Sequence, residues 1–115
     1  MEIGGTHTQI LAAAMRGLEA RRQAHELNLS NVETPGFRAR QVSFEDSLRR
    51  AAGTGRPGAA GISTTLSTGA TRPDGNNVQM AEEMTALELN ALQQRLMTQA
   101  LNDHYGRLRA ALGNG

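Results

Sequence analysis

Everything in this chain is constrained by a helix stop built into residues 28–37, Asn28-Leu29-Ser30-Asn31-Val32-Glu33-Thr34-Pro35-Gly36-Phe37. Pro35 disfavours the α region for Thr34 and lacks the amide that a continuing helix would use, and Gly36 can take a left-handed conformation that redirects the chain. Asn28 and Asn31 lie one turn apart on one helical face just before the stop. There, side-chain amides can bond the last unpaired carbonyls or an oncoming backbone. Phe37 gives the exiting chain an apolar anchor. A fold that keeps this stop has a helix before it and a reversal after it.

Upstream, positions 11, 15, 18, 22, 25, 29 and 32 advance by four and three, as Leu11, Met15, Leu18, Arg22, His25, Leu29 and Val32. This predicts a helix from about Thr8 to Val32, about 37 Å long, with its seam interrupted in the middle and with Thr6 or Thr8 as the cap. A neighbouring stripe, Ile10, Ala14, Gly17, Arg21, Ala24, Asn28 and Asn31, is small enough to admit another backbone. Downstream, Phe44 and Leu48 suggest a short amphipathic turn. Residues 53–77 then read as a flexible glycine-rich loop with at most a small hairpin at Ile62–Ser67 and a turn at Asp74-Gly75-Asn76.

The second helical stripe is clearer. Met80, Met84, Leu87, Ala91, Gln94, Thr98, Leu101, Tyr105, Leu108 and Leu112 keep the four-three step, and Leu89, Leu92 and Leu96 broaden it. Glu82 and Glu83 favour its positive end, Arg107 and Arg109 its negative end, and Gly113 ends it. The expected architecture is all-α: two long terminal helices packed as a coiled-coil-like pair and joined by an irregular Gly-rich middle. The segments are 1–35, 36–78 and 79–115. The packing positions are Leu11, Met15, Leu18, Leu29 and Val32 on the first helix, and Met84, Leu87, Ala91, Leu101, Tyr105, Leu108 and Leu112 on the last.

Composition limits the core. With 38% hydrophobic residues, 3% aromatics and 13 glycines in 115 residues, little is left to fill a globular interior, so the chain should be marginal alone. Its formal charge is +1, every cationic side chain is arginine, and signs are interspersed, which gives little support for nucleic-acid binding. The absence of cysteine removes disulfides and thiolate metal sites. No signal peptide or membrane-spanning stretch is expected from the hydropathy pattern.

Catalysis finds little support either. His7, His25 and His104 have no ligand spacing, Glu82 and Glu83 are adjacent and diverge on a helix, and the glycines lack phosphate-loop spacing. No catalytic residue, metal, cofactor or small-molecule substrate is expected. A small helical adaptor or export-chaperone-like protein, binding an amphipathic partner helix through the C-terminal stripe, is the alternative that residues alone allow.

The stop also carries a resemblance. Arg21, then Asn28, Asn31, Thr34, Pro35, Gly36 and Phe37, continued by Arg38, Ala39, Arg40, Val42, Ser43 and Phe44, is similar to the N-terminal motif of the bacterial flagellar basal body rod proteins, in particular the proximal rod members. Asp74, Gly75, Asn76, Val78, Glu83, Met84 and Asn90 resemble the entry to the C-terminal helix in that family. Two positions depart from it: His25 stands where an aliphatic residue is frequent, and Gln94 where tyrosine is usual. The resemblance implies a structural subunit that polymerises helically with itself and other rod subunits, touches inner-membrane ring or export-gate components at the rod base, and binds no nucleic acid. It further implies a place in the periplasmic rod of the flagellum, reached by type III export without a cleavable signal.

Overall fold

The computed structural model describes residues 5–113. Helix α1 spans Thr6–Ser30, strand β1 Arg40–Ser43, helix α2 Glu45–Gly53, strand β2 Ser63–Leu66 and helix α3 Met80–Gly113, with one turn of 3-10 helix at Pro57–Ala59. α1 begins two residues earlier than the periodicity indicates. Gly5 occupies the cap position and no side chain caps the helix. Thr8 is instead buried in the body of the helix.

α1 and α3 run antiparallel. Their cross-contacts pair rising with falling residue numbers: His7 with His104, Leu18 with Asn90, and His25 with Glu83. On the other side of α1 lie β1, α2 and the 3-10 turn, while α3 makes its extensive contacts with α1 alone. The order across the molecule is therefore α3, α1, then the middle segment. The extents, 66 × 27 × 14 Å, are those of a slab one layer thick, three elements wide at the usual 8–10 Å spacing.

The middle segment is more ordered than its glycines suggest. β2 does not fold back on itself as a hairpin within 62–67. It pairs antiparallel with β1 in the register Arg40↔Leu66, Gln41↔Thr65, Val42↔Thr64 and Ser43↔Ser63, making a two-stranded sheet with α2 in the connection. The period-two signal of four exposed residues, Ser63-Thr64-Thr65-Leu66, is too weak to reveal a partner about 20 residues away. α2 runs nine residues, and Glu45 and Asp46 in its first turn suit the helix dipole.

A small core joins these parts. Leu18, Ala24, Val42 and Phe44 form its centre, with Ala14, Ala20, Leu48 and Met97 packed around it. Phe44 lies so close to Gly17 that a Cβ there would come within 2.4 Å of the ring. Gly17, part of the small-residue stripe on α1, is thus the notch that lets the aromatic ring seat against the helix.

Candidate assembly joint

The turn that stops α1 is closed by its own backbone. Phe37 N donates to Thr34 O at 3.2 Å across Pro35 and Gly36, and Gly36 has φ +75°, the geometry of a type II turn with glycine at its third position. Gly36 N then donates to Asp74 O at 2.8 Å. Opposite it, Gly75 has φ +84°, and a Cβ on Gly75 would stand 3.3 Å from Gly36 Cα. Two glycine turns, nearly forty residues apart in sequence, meet back to back. The resemblance grouped each of these turns with its own helix; the structure brings them together.

Asparagine side chains hold the joint. Asn76 is fully buried, and its Nδ2 donates to the carbonyls of Asn31 at 2.8 Å, Val32 at 3.2 Å and Thr34 at 2.9 Å, while its Oδ1 accepts from Val78 N at 2.7 Å. It caps the C-terminal end of α1 from the segment just before α3. Asn28, also buried, bonds both sides of one peptide position in β1: Nδ2 donates to Arg40 O at 3.0 Å and Oδ1 accepts from Arg40 N at 2.8 Å. The amide stands in for a neighbouring strand. Asn31 binds locally, donating to Leu27 O and accepting from the Thr34 hydroxyl.

Arg21 completes the inner edge of β1. Its Nε and Nη2 donate to Val42 O at 3.2 and 2.7 Å, and its Nη1 and Nη2 donate to the Glu45 carboxylate at 2.7 and 2.8 Å. The guanidinium carbon lies 4.8 Å from the centre of the Phe44 ring. One side chain thereby ties α1 to the strand, to the core aromatic and to the first turn of α2. The hydrogen bonds from Arg21 hold the Glu45 carboxyl below its ordinary range, to about 2. Beside the contact with α3, the Arg22 hydrogen bond lowers Glu19 likewise to about 2. Phe37 is half-buried, with Arg40 over its ring.

Two members of the joint were not singled out from the sequence. Asn77 accepts from Ala39 N at 2.6 Å through Oδ1, and its Nδ2 reaches Ser67 O at 3.2 Å. Arg72 donates to Val78 O at 2.9 Å and to Val32 O. The doubled asparagine after Asp74-Gly75 was a legible turn signal for Asn77; nothing in the spacing pointed to Arg72.

Along the helix pair, the side of α3 that faces α1 is Glu83, Leu87, Asn90, Gln94, Met97, Leu101, His104 and Leu108, all at least half-buried. The expected stripe shares Leu87, Gln94, Leu101 and Leu108 with it and is turned by about one residue at the alternate positions. Met84, Ala91, Tyr105 and Leu112 are exposed in the single chain, as are Leu89, Leu92 and Leu96. On α1, Leu11 and Leu18 are buried and Met15 and Leu29 half-buried; Val32, expected in the helix, lies half-buried in the turn past its end at Ser30. The true seam was hidden because half of it is polar. Asn90, 1% exposed, donates to Leu18 O at 2.9 Å, and Gln94 donates to Glu19 at 3.2 Å. His25 Nδ1 sits 2.5 Å from a Glu83 carboxylate oxygen. The two departures from the rod pattern, His25 and Gln94, both make polar contacts across the helix pair.

Among the described residues, no group of three His, Cys, Asp or Glu side chains could hold a metal ion, and no helix is long and apolar enough to cross a membrane. The joint has no reactive arrangement; what it does is fix the angle and register at which two helices leave a sheet.

Comparison with known proteins finds similar sequences that carry names. The chain is 29% identical to the flagellar basal body rod protein FlgB of Yersinia enterocolitica, over 65% of this chain and 72% of that protein. It is 26% identical to FlgB of Escherichia coli K12 and to FlgB of Shigella flexneri, each over 91% of this chain and 96% of the relative. The chain is thus similar to FlgB rod proteins along most of its length. No protein-family model matches it. The match to the E. coli FlgB spans nearly all of both chains, so it takes in both halves of the joint and the middle segment between them.

Proposed function

We propose that the chain is a structural subunit of the flagellar basal body rod, in its proximal part, and that it polymerises helically with other rod proteins into the shaft carrying torque from the inner-membrane ring to the hook. The observation that carries this reading is the apolar surface left on α3. Met80, Met84, Leu89, Leu92, Leu96 and Leu112 are all about half exposed or more, and nothing among the described residues covers them. A subunit that must meet neighbours on several sides keeps such a surface. Head-to-tail contacts that do not close into a ring then generate a filament.

On this reading the joint at 28–37 and 72–78 sets the direction in which the two long helices enter the shaft. Its role is structural, not catalytic. The roles of Arg21, Asn28, Asn76 and the two turn glycines belong to this proposal, as do contacts with ring or export-gate components at the rod base. The test is a strain lacking the chain, examined by electron microscopy of isolated basal bodies. Basal bodies should lack the rod beyond the inner-membrane ring and regain it when the chain is restored. Complete, functional rods in the deletion strain would overturn the assignment.

A further inference from the structure

The last helix carries a second seam that α1 does not use. Thr85, Leu89, Leu92, Leu96, Gln99 and Asp103 step by four and three, and all six are exposed. At 3.6 residues per turn, this run lies on the arc of α3 turned away from Leu87, Asn90, Gln94 and Leu101, which face α1. Its leucines at 89, 92 and 96 are 56%, 46% and 54% exposed. Such a stripe is the inner line of a coiled coil that lacks its other strand. A helix of matching length and pattern would cover it, and α3 itself, 34 residues long, has both.

Charge selects the partner and its direction. Glu88 and Arg95 are exposed, stand two turns apart on one flank of the leucines, and have no ion-pair partner among the described residues. Let a second α3 lie antiparallel, with Leu89 level with Leu92 of the copy. Glu88 and Arg95 of the copy then differ by only about 3 Å in height along the axis, and the two-fold symmetry makes the match twice. The other flank, with Ala86, Gln93 and Ala100, carries no charge to oppose it. Other arrangements lose the match. A parallel pair sets Glu88 and Arg95 beside Gln93 and Ala100 and brings Asp103 against Asp103, and an antiparallel pair shifted to put Leu92 level with Leu96 brings Arg95 against Arg95.

We propose that the free chain pairs with a second copy through this outer face of α3, antiparallel, with Leu89 and Leu92 in reciprocal layers and two Glu88–Arg95 ion pairs along one flank. The contact is isologous, so it closes on itself and does not propagate. It therefore goes beyond the filament contacts of the rod-subunit reading. On that reading the pair is a form of the free chain, covering leucines that a neighbour in the shaft would take over.

Because the chain has no cysteine, introduced thiols report on the pairing alone. A mixture of Thr85→Cys and Leu96→Cys chains places its thiols level in the antiparallel pair and should cross-link on mild oxidation. Leu96→Cys alone should not, since its two copies lie about 16 Å apart along the axis. A parallel pair would reverse both results and overturn the proposal. Sedimentation velocity on the full chain measures the strength. Glu88→Arg and Arg95→Glu should each weaken self-association about tenfold, because either change turns both ion pairs into like-charge contacts. Mixing these two variants, or combining both changes in one chain, should restore it, and Leu92→Asp should abolish it. Circular dichroism at the same concentrations checks that each variant keeps its helix. A wild type that stays monomeric at every concentration, charge reversals without effect, or loss without rescue would each overturn the pair. So would a monomer that binds another rod subunit through Leu92, which would give the face to that partner. The rod reading stands or falls separately, on the basal bodies of the deletion strain.

Discussion

At the scale of single residues, the joint depends on groups whose replacement has distinct signatures. Gly36 has open space where a Cβ would point but a φ of +75°, so its requirement is conformational and not steric. Gly36→Val should cost about 1–3 kcal/mol through backbone strain, read as faster hydrogen exchange at the Phe37 and Asn77 amides, and it should impair motility. Protection and swimming equal to wild type would remove the special role of the turn. Gly17 is the converse case, with ordinary helical geometry and no room. Gly17→Ala should destabilise by about 1–3 kcal/mol by driving Cβ into Phe44. The loss should be much smaller in a Phe44→Leu background, a coupling that a double-mutant cycle of thermal unfolding measures. The sequence announced Gly36 through its neighbour Pro35. It did not announce what Gly17 was for, because a glycine in a helix says only that something comes close.

At the scale of elements, the same contrast explains which parts were legible. Both long helices follow from four-three periodicity, broken in α1 by Arg22 and His25, and the stop at 34–37 follows from proline and glycine chemistry. The seam of α3 was read one residue off at alternate positions because leucines lie around much of the helix, and the residues facing α1 include Asn90, Gln94 and Glu83. Periodicity finds the apolar face, and here part of that face is reserved for something other than α1. Leu18→Ala, at a buried seam position, should therefore cost about 2–5 kcal/mol in the isolated chain, whereas Leu92→Ala should barely shift its melting and should weaken assembly. Equal effects on melting would mean the seam has been misplaced. A small hairpin was expected at Ile62–Ser67, but the partner of β2 was missed for a different reason: β1 is held on one edge by side chains of α1, a pairing with no strand-like pattern.

The tie between α1, β1 and α2 also has a pH signature. The Glu45 carboxyl is lowered from 4.5 to about 2, chiefly by hydrogen bonds from Arg21. Because its folded pKa lies below its unfolded one, the contribution is complete above about pH 4.5 and is lost as pH falls toward 2. The difference in melting temperature between wild type and Glu45→Gln should be constant from neutral pH to about 5 and shrink below it. Exposure of the carboxylate keeps the difference small. A difference that grew on acidification would contradict the Arg21 pairing.

At the scale of the whole molecule, shape decides how much of this order the chain keeps by itself. The radius of gyration is 17.9 Å, against about 13 Å for a compact domain of this length. With only fourteen buried side chains among the described residues, the slab recovers little of the roughly 1–2 kcal/mol of backbone entropy lost per ordered residue. The deficit is unequal. Residues near the joint have Asn28, Asn76, Arg21 and the Phe44 cluster to hold them, whereas α3 beyond His104 runs about 13 Å past His7, its partner near the start of α1. The isolated chain at low concentration should accordingly show less helix by circular dichroism than α1, α2 and α3 together account for, with protease cutting first in the last turns of α3. Helix should rise on self-association or on mixing with an adjacent rod subunit, as the exposed leucines of α3 become covered. A dilute monomer that melted cooperatively from full helicity would instead have a self-sufficient core. Its exposed α3 face would then fit a stable helical adaptor that accepts an amphipathic partner, and the polymerising role would have to be given up.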